Sequence, residues 1–353
     1  MNPAAAVKTV CILRLSALGD ATHVLPLIRT LQKNLPEAKI TWILGKGEEK
    51  LFEGLDGVEL IAFDKKAGLQ GLKDLTHALD GRRFDVLLQM QLALRANLVS
   101  AVISAKRRIG YNRERAKEGH GLFVNERIRH DGHHVLDVFG LFTEPLGFRQ
   151  TEACWNLPVP AEAHAWAAEQ WPAGKPTLLI SPCSSHALRN WLPERYAAVA
   201  THALGKGWQV VLCGGRSKLE RDMGDAIIAA MPEKPIDLIG KDTLKQLLAL
   251  LARADLVMTP DSGPAQMANA MGSKVLGLYA CTDATRSGPY SDLRYTVNRY
   301  PDAAIRFLDK PAAALSWGKR VEFPGVMDLL EVADVIARFE RYCADQGRSQ
   351  GFR

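Results

Sequence analysis

The chain has 353 residues and a mass of 38.8 kDa, enough for about two domains, because single cores rarely grow past ~250–300 residues. Hydrophobic residues at 47% and charged residues at 24% exclude a chain that is mainly disordered, and 29 Gly and 18 Pro without a period exclude collagen-like and coiled-coil architectures. The net charge of +6 calls for an anionic partner (nucleotide, phosphorylated sugar, anionic membrane or nucleic acid) without choosing among them.

In chain order, strands are predicted over Thr9–Leu13, Lys39–Leu44, Glu59–Phe63 and Asp85–Gln89. An amphipathic helix is predicted over His23–Asn34, where Leu25, Leu27, Ile28 and Leu31 share one face. The rhythm breaks at the Pro-rich stretches 156–160 and 172–176, then resumes with strands Thr177–Ser181, Gln209–Cys213, Ile236–Leu238, Leu256–Thr259 and Lys274–Tyr279. Helices Pro193–Leu204, Leu219–Met231 and Leu244–Arg253 alternate with them. Such βαβ alternation predicts an α/β fold with parallel sheets covered by helices on both faces. The expected organisation is a first domain over 1–157, a linker over 158–175, a second domain over 176–327, and a final segment 328–353. That segment holds a helical pattern over Asp328–Tyr342, which either domain could own, and a frayed polar tail from Asp345.

Six cysteines stand far apart without C-x-x-C spacing, and Cys11, Cys183 and Cys213 lie in or beside apolar runs, which fits core thiols in a reducing compartment. The N-terminus lacks the form of a signal peptide, and the best apolar stretch, Leu247–Met258, is interrupted by Arg253 and Asp255. A cytoplasmic protein is therefore expected.

Three segments carry chemistry. In Leu13–His23 a strand ends, a small-residue turn follows, and a helix begins near Ala21. Such a turn lies at the carboxyl edge of a doubly wound sheet, where ligands bind; Asp20 reads as a site carboxylate or as a helix N-cap. Ile180–Pro193 gathers Ser184, Ser185 and Arg189 after a strand, an inventory for holding phosphate that a solvated Ser-rich turn would share. In Thr259–Ala270 a strand runs into Asp261-Ser262-Gly263-Pro264 and a small-residue helix, a seat for pyrophosphate or simply a capped helix. Neither G-x-G-x-x-G nor a Walker A motif is present, so a nicotinamide enzyme and a P-loop NTPase are disfavoured. The adjacent pair His133-His134 and the absence of D-x-D offer no metal site.

Taken in order, Leu13–Asp20, Ser181–Pro193, Asp261–Gly272 and Tyr279–Pro289 resemble glycosyltransferase family 9, the ADP-heptose heptosyltransferases of the lipopolysaccharide inner core. The runs Asp64–Gly68, Gln89–Gln91, Lys106–Tyr111 and His134–Asp137 are most similar to heptosyltransferase I, in particular to the branch that extends a single phosphorylated Kdo on lipid A. The resemblance implies a GT-B architecture, two Rossmann-like domains facing a cleft. It also implies inverting, metal-independent transfer from ADP-heptose as co-substrate, with no cofactor. By the family pattern Asp20 is the general base; Ser184, Ser185 and Arg189 match the diphosphate loop; Asp261, Ser262 and Gly263 match the donor-binding turn; and Glu220 and Asp242 fall where adenosine contacts are expected. Gln266 stands where many members carry His, which puts a charge-dependent role at that position in doubt. Runner-up readings are another family 9 transferase, such as heptosyltransferase II, and a sugar-nucleotide-binding protein without catalysis.

The Kdo-lipid A acceptor implied by the resemblance is expected on a basic face of the first domain, formed by Lys65, Lys66, Arg107, Arg108, Arg113 and Arg115 in or after loops near the sheet edge of Asp20. The implied location is peripheral, at the cytoplasmic face of the inner membrane, with no nucleic acid partner.

Overall fold

The computed structural model describes residues 7–350. The chain divides into two compact units, one ending at Pro158 and the other beginning at Val159.

The first unit runs β1 (Thr9–Leu13), α1 (Leu18–Thr22), α2 (Val24–Asn34), β2 (Lys39–Gly45), α3 (Lys46–Phe52), β3 (Val58–Phe63), α4 (Gly68–Leu79), β4 (Arg83–Gln89), α5 (Leu94–Ala101), β5 (Ser104–Gly110), β6 (Glu126–Arg127) and α6 (Val135–Gly140). Its six strands form one parallel sheet in the order β3-β2-β1-β4-β5-β6. The β-branched and apolar residues of β1 suit a strand flanked on both sides and covered on both faces, and its last four residues are buried. Cys11, Leu13, Ile43 and Leu87 project from the sheet into a core closed by Leu75 and Leu79 of α4 and Ala96 and Val99 of α5.

Strand β5, with the sequence SAKRRIG, is absent from the predicted strands because three consecutive cations mask its pairing edge. The expectation that Arg107 and Arg108 lie in a loop is thereby corrected. Arg107 leaves one face to pair with Glu126 through Nε at 2.7 Å and Nη2 at 2.8 Å. From Arg108, Nη2 reaches Ser100 O and Nη1 reaches Ile103 O, capping the carbonyls at the end of α5, while Nε donates to Phe123 O, each at 2.7 Å.

The second unit runs α7 (Ala161–Glu169), β7 (Thr177–Ile180), α8 (Pro193–Gly205), β8 (Gln209–Leu212), α9 (Lys218–Ala230), β9 (Ile236–Asp237), α10 (Leu244–Arg253), β10 (Leu256–Pro260), α11 (Gly263–Ala270), β11 (Lys274–Tyr279), α12 (Ala284–Ser287), β12 (Val297–Asn298), α13 (Tyr300–Leu308) and α14 (Val332–Gln350). Its parallel sheet has the order β12-β11-β10-β7-β8-β9. The segment 158–175, read from sequence as a linker, contains α7, and Arg253 of α10 ties it down by donating to Ala167 O and Trp171 O at 2.6 and 2.7 Å. Helix α14 starts at Val332 rather than Asp328 and continues to Gln350, so the expected fraying from Asp345 is not found; residues 351–353 of that tail lie outside the described residues. Val335, Phe339 and Tyr342 of α14 join the core of the second unit, with Phe339 stacked edgewise on Trp208 at 4.9 Å.

No helix among the described residues is long and apolar enough to cross a membrane. All six thiols are free of disulfides, and Cys11, Cys183, Cys213 and Cys281 are buried.

Candidate functional site

In the first sheet, β1 is followed in sequence by β2 on one side and has β4 on the other, so the carboxyl ends of β1 and β4 flank a topological switch point, where open α/β sheets bind ligands. The turn leaving β1 is held from both neighbours. Leu15 N donates to Gln91 Oε1 at 2.6 Å and Gln91 Nε2 donates to Ser16 Oγ at 2.9 Å. Lys65, beyond β3, donates to Leu15 O at 3.1 Å and pairs with the buried carboxylate of Glu48 at 2.8 Å. Helix α1 begins at Leu18 with Ala17 as its N-cap and no side-chain cap bond. Asp20 therefore sits inside the first turn, and the capping reading of Asp20 does not hold.

Arg14, at the end of β1, orients that carboxylate. Its Nη2 donates to Asp20 Oδ2 at 2.5 Å, its Nη1 donates to Met90 O at 2.6 Å, and its guanidinium lies 5.2 Å from the Phe139 ring. Arg14 is buried, whereas the Asp20 side chain remains 41% exposed. A carboxylate held by a buried cation and still partly exposed to solvent is geometrically suited to accept a proton from an incoming hydroxyl.

The basic residues expected around this turn separate into two groups. Lys65, exposed Lys66 and exposed Arg113 follow the carboxyl ends of β3 and β5. The others face elsewhere. Arg107 and Arg108 are committed as described above, and Arg115 is buried, donating Nη2 to Asp131 O and Gly132 O at 2.8 and 2.6 Å. Lys106 lies at the opposite edge, paired at 2.8 Å with Asp85, which also accepts from Lys8 N and Thr9 N.

In the second sheet the switch point falls between β7 and β10. The loop after β7 is anchored by two large buried side chains: Trp191 Nε1 donates to Leu330 O at 3.0 Å, and Tyr196 OH donates to Pro182 O at 3.1 Å. Burial of such a pair contributes several kcal/mol, roughly 1.5–3 for each large side chain. Within the loop, Ser184 is buried and its N–H donates to Asn190 Oδ1 at 2.7 Å, while Ser185 is exposed. Arg189, 13% exposed, presents Nε and Nη2 to Glu322 Oε1 at 2.7 and 2.6 Å, and its Nη1 lies 3.5 Å from Asp261 Oδ2. Burial works to raise the pKa of Glu322. The hydrogen bond and charge of Arg189, with Arg320 and His186, outweigh it and hold the carboxyl below its usual range. Glu322 is placed by its neighbour, since Val321 N donates to Cys281 O at 2.8 Å just past β11.

After β10, Ser262 is the N-cap of α11; its hydroxyl accepts from Ala265 N and lies 2.8 Å from Thr259 Oγ1. Gly263 and Pro264 open the helix. Gln266 is buried, with Nε2 donating to Ser287 O at 2.6 Å and Oε1 lacking a hydrogen-bond partner in the protein. The amide thus ties α11 to α12. Farther along the same edge, Glu220 accepts from Gly215 N and Ser217 Oγ, each at 2.6 Å, closing the Gly214-Gly215 turn. Asp242, past β9, has a buried Oδ2 without a partner. Burial pushes its carboxyl up to about 6, with nearby Glu220 adding to the rise and a backbone hydrogen bond and Arg216 opposing it.

The structure therefore groups Ser184, Ser185, Arg189, Asp261, Ser262 and Gly263 at one switch point, with Glu220 and Asp242 farther along that edge. Asp20 stands at the corresponding point of the other unit. Arg14 and Glu322 were missed in the sequence. Arg14 directly follows a predicted strand, the one local signal available, whereas Glu322 is 133 residues from its partner and has none. Among the described residues no group of three His, Cys, Asp or Glu could hold a metal ion.

Residues 72–311 match the family model of glycosyltransferase family 9 (heptosyltransferase). Over 337 residues the chain is 39% identical to the lipopolysaccharide core heptosyltransferase OpsX of Haemophilus influenzae, covering 95% of this chain and 97% of that protein. The fold is similar to that of a family 9 glycosyltransferase from Veillonella parvula (TM-score 0.78, 20% identity, 96% of this chain and 97% of the other). It is also similar to the ADP-heptose heptosyltransferase II of Escherichia coli (TM-score 0.72, 19% identity, 96% and 99%). The two parallel six-stranded sheets with flanking helices are those of the GT-B heptosyltransferases. With the family model spanning most of the chain and a relative matched nearly end to end, the chain belongs to glycosyltransferase family 9 and is a heptosyltransferase of lipopolysaccharide core synthesis.

Proposed function

We propose that the chain moves L-glycero-D-manno-heptose from ADP-heptose to a Kdo of lipid A, with inversion at the anomeric carbon and without a metal ion. The observation that carries this reading is the Arg14–Asp20 pair on a turn stapled by Gln91, with the partly exposed Asp20 carboxylate at the switch point of the first unit. Asp20 takes the proton of the acceptor hydroxyl as its oxygen bonds to the anomeric carbon. On the opposite face the bond from that carbon to the ADP oxygen breaks, and its electron pair leaves with ADP. A single displacement inverts the centre and needs one base, because diphosphate is already a good leaving group. Arg189, Ser184, Ser185 and the start of α11 at Ser262 and Gly263 meet the growing charge on ADP, which is the task a metal would otherwise perform. Asp261 holds the heptose hydroxyls, Gln266 supports the turn, and Glu220 and Asp242 receive the adenosine. Lys65, Lys66 and Arg113 receive the acceptor's phosphate or carboxylates, and the enzyme works peripherally at the cytoplasmic face of the inner membrane.

The test is mass and anomeric analysis of the product formed from ADP-heptose with phosphorylated and with unphosphorylated Kdo-lipid A. One heptose added to Kdo is expected, with turnover falling ~10²–10⁴-fold in Asp20→Asn while ADP-heptose affinity is kept. Transfer only to an acceptor already carrying heptose, or near-normal turnover in the variant, overturns the reading.

A further inference from the structure

A buried hydrogen-bonded circuit runs up to the Arg14–Asp20 pair, and nothing in the proposed chemistry uses it. Gln89, Met90, Asn97, His120 and Tyr111 are each at most 2% exposed. Gln89 Nε2 donates to Asn97 Oδ1 at 2.6 Å, and the same oxygen lies 3.1 Å from His120 Nδ1. His120 Nε2 accepts from Tyr111 N at 3.0 Å, and Tyr111 OH donates to Met90 O at 3.1 Å. Met90 follows Gln89 in the chain, so the circuit closes on the carboxyl end of β4. Directional contacts of this kind fix their members more narrowly than apolar packing does. Tyr111 itself has little freedom, its ring lying edgewise to Phe142 at 5.2 Å and to His120 at 5.7 Å.

The circuit meets the Asp20 turn through one peptide unit. A carbonyl oxygen has two lone pairs, and Met90 O gives one to Tyr111 OH and the other to Arg14 Nη1. Arg14 Nε has no hydrogen-bond partner among the described residues, so the guanidinium takes its place from Met90 O, Asp20 and the Phe139 ring. The next residue, Gln91, reaches Leu15 N and Ser16 Oγ with its side chain. Two of the grips on the turn, from Arg14 and from Gln91, therefore depend on where the Met90–Gln91 peptide stands. Tyr111 OH holds that peptide without belonging to either grip.

We infer that Tyr111 is a positioning residue for the transfer reaction, setting Asp20 through the Met90 carbonyl and Arg14. The inference rests on the proposed role of Asp20 as the base. Without the hydroxyl, the Met90 carbonyl follows Arg14 instead of fixing it, and guanidinium and carboxylate range over more positions. Misplacing a reacting group by ~1 Å costs up to ~10²-fold in rate, so a small loosening is felt in turnover before it is felt in donor binding.

The experiment is a double-mutant cycle on the full chain, read by steady-state transfer from ADP-heptose to Kdo-lipid A. Tyr111→Phe keeps the ring and removes the hydroxyl. It is expected to lower kcat about fivefold, the worth of one net hydrogen bond, and to leave the ADP-heptose KM within about twofold. In an Arg14→Lys background the fork onto Met90 O and Asp20 is already lost, and the same change should lower kcat by less than about twofold. Ile61→Val, a core change in β3 of comparable cost to stability, should leave kcat at the wild-type value. Wild-type kcat in Tyr111→Phe, the same loss with and without Arg14, or an equal loss in Ile61→Val would overturn the inference, while a slow Asp20→Asn measured alongside keeps the base in place. Near-normal turnover in Asp20→Asn would overturn the base and the inference together.

Discussion

Two titrating groups, buried His120 in the first unit and half-buried Asp242 in the second, should pull stability in opposite directions as pH falls. His120 is fully buried in the first unit; its Nε2 accepts from Tyr111 N at 3.0 Å and its Nδ1 lies 3.1 Å from Asn97 Oδ1, so the tautomer that satisfies both carries its proton on Nδ1. Burial, aided by the charge of Arg127, pushes its pKa down to about 4, against ~6.5 in an unfolded chain. Between those values the unfolded state binds more protons than the folded one. Stability contributed by neutral His120 is thus complete above ~6.5 and is lost as pH falls toward 4, by ~2 kcal/mol at pH 5 and ~3 kcal/mol at pH 4. Asp242 acts with the other sign. Its carboxyl is pushed up to about 6 in the folded second unit, against ~3.9 unfolded, so the folded form binds more protons and that unit gains ~1 kcal/mol between pH 7 and pH 5. Urea unfolding followed by hydrogen exchange of peptides from each unit separates the two effects, which partly cancel in any whole-protein signal. His120→Gln should flatten the pH dependence of the first unit, and Asp242→Asn should remove the gain of the second. An unchanged pH slope in the first unit of His120→Gln would falsify the assignment.

Glu322→Gln should tighten ADP binding about fivefold by calorimetry, since a unit charge ~6 Å from a phosphate at an effective dielectric near 20 is worth ~3 kcal/mol before solvent reduces it to ~1 kcal/mol. Unchanged or weaker binding would remove the diphosphate from the neighbourhood of Arg189. Gly110→Ala should cost ~2 kcal/mol in denaturant unfolding, because the added Cβ would lie 2.5 Å from Val124 Cγ1 and closer still to His120 Nε2; a wild-type midpoint would contradict that packing. Transfer should persist in EDTA, with Arg189 and the start of α11 supplying the charge stabilisation. Loss of activity restored by Mg²⁺ would refute the metal-free mechanism.

Strands β1 and β11 and helix α10 were legible to the residue, because each is an apolar run bounded by a turn or cap and buried by its neighbours alone. Strand β5 was hidden because Arg107 and Arg108 serve its structure: one forks onto Glu126 in the next strand and the other caps a helix end. From sequence, the same letters read as a surface for acidic ligands. Arg115 misled in the same way, its charge being spent on two loop carbonyls. Asp20, Arg189 and Asp261 were legible as candidates because they fall just after predicted strands, where sheet topology concentrates ligand sites. What orients them was not, since Gln91 and Glu322 act across 76 and 133 residues of chain.

The stapled turn after β1 has a consequence for how acceptor preference can change. Leu15 N, Leu15 O and Ser16 Oγ are occupied by Gln91 and Lys65, and Asp20 is gripped by Arg14, so the base of the proposed mechanism has one place to stand. A fixed base accepts whichever hydroxyl is delivered to that place. In the proposed acceptor site the choice of sugar then falls to exposed side chains such as Lys66 and Arg113. Exchanges there can redirect the enzyme to a differently charged acceptor while the chemistry stays intact, so descendants of one such turn can diverge in substrate without first losing activity.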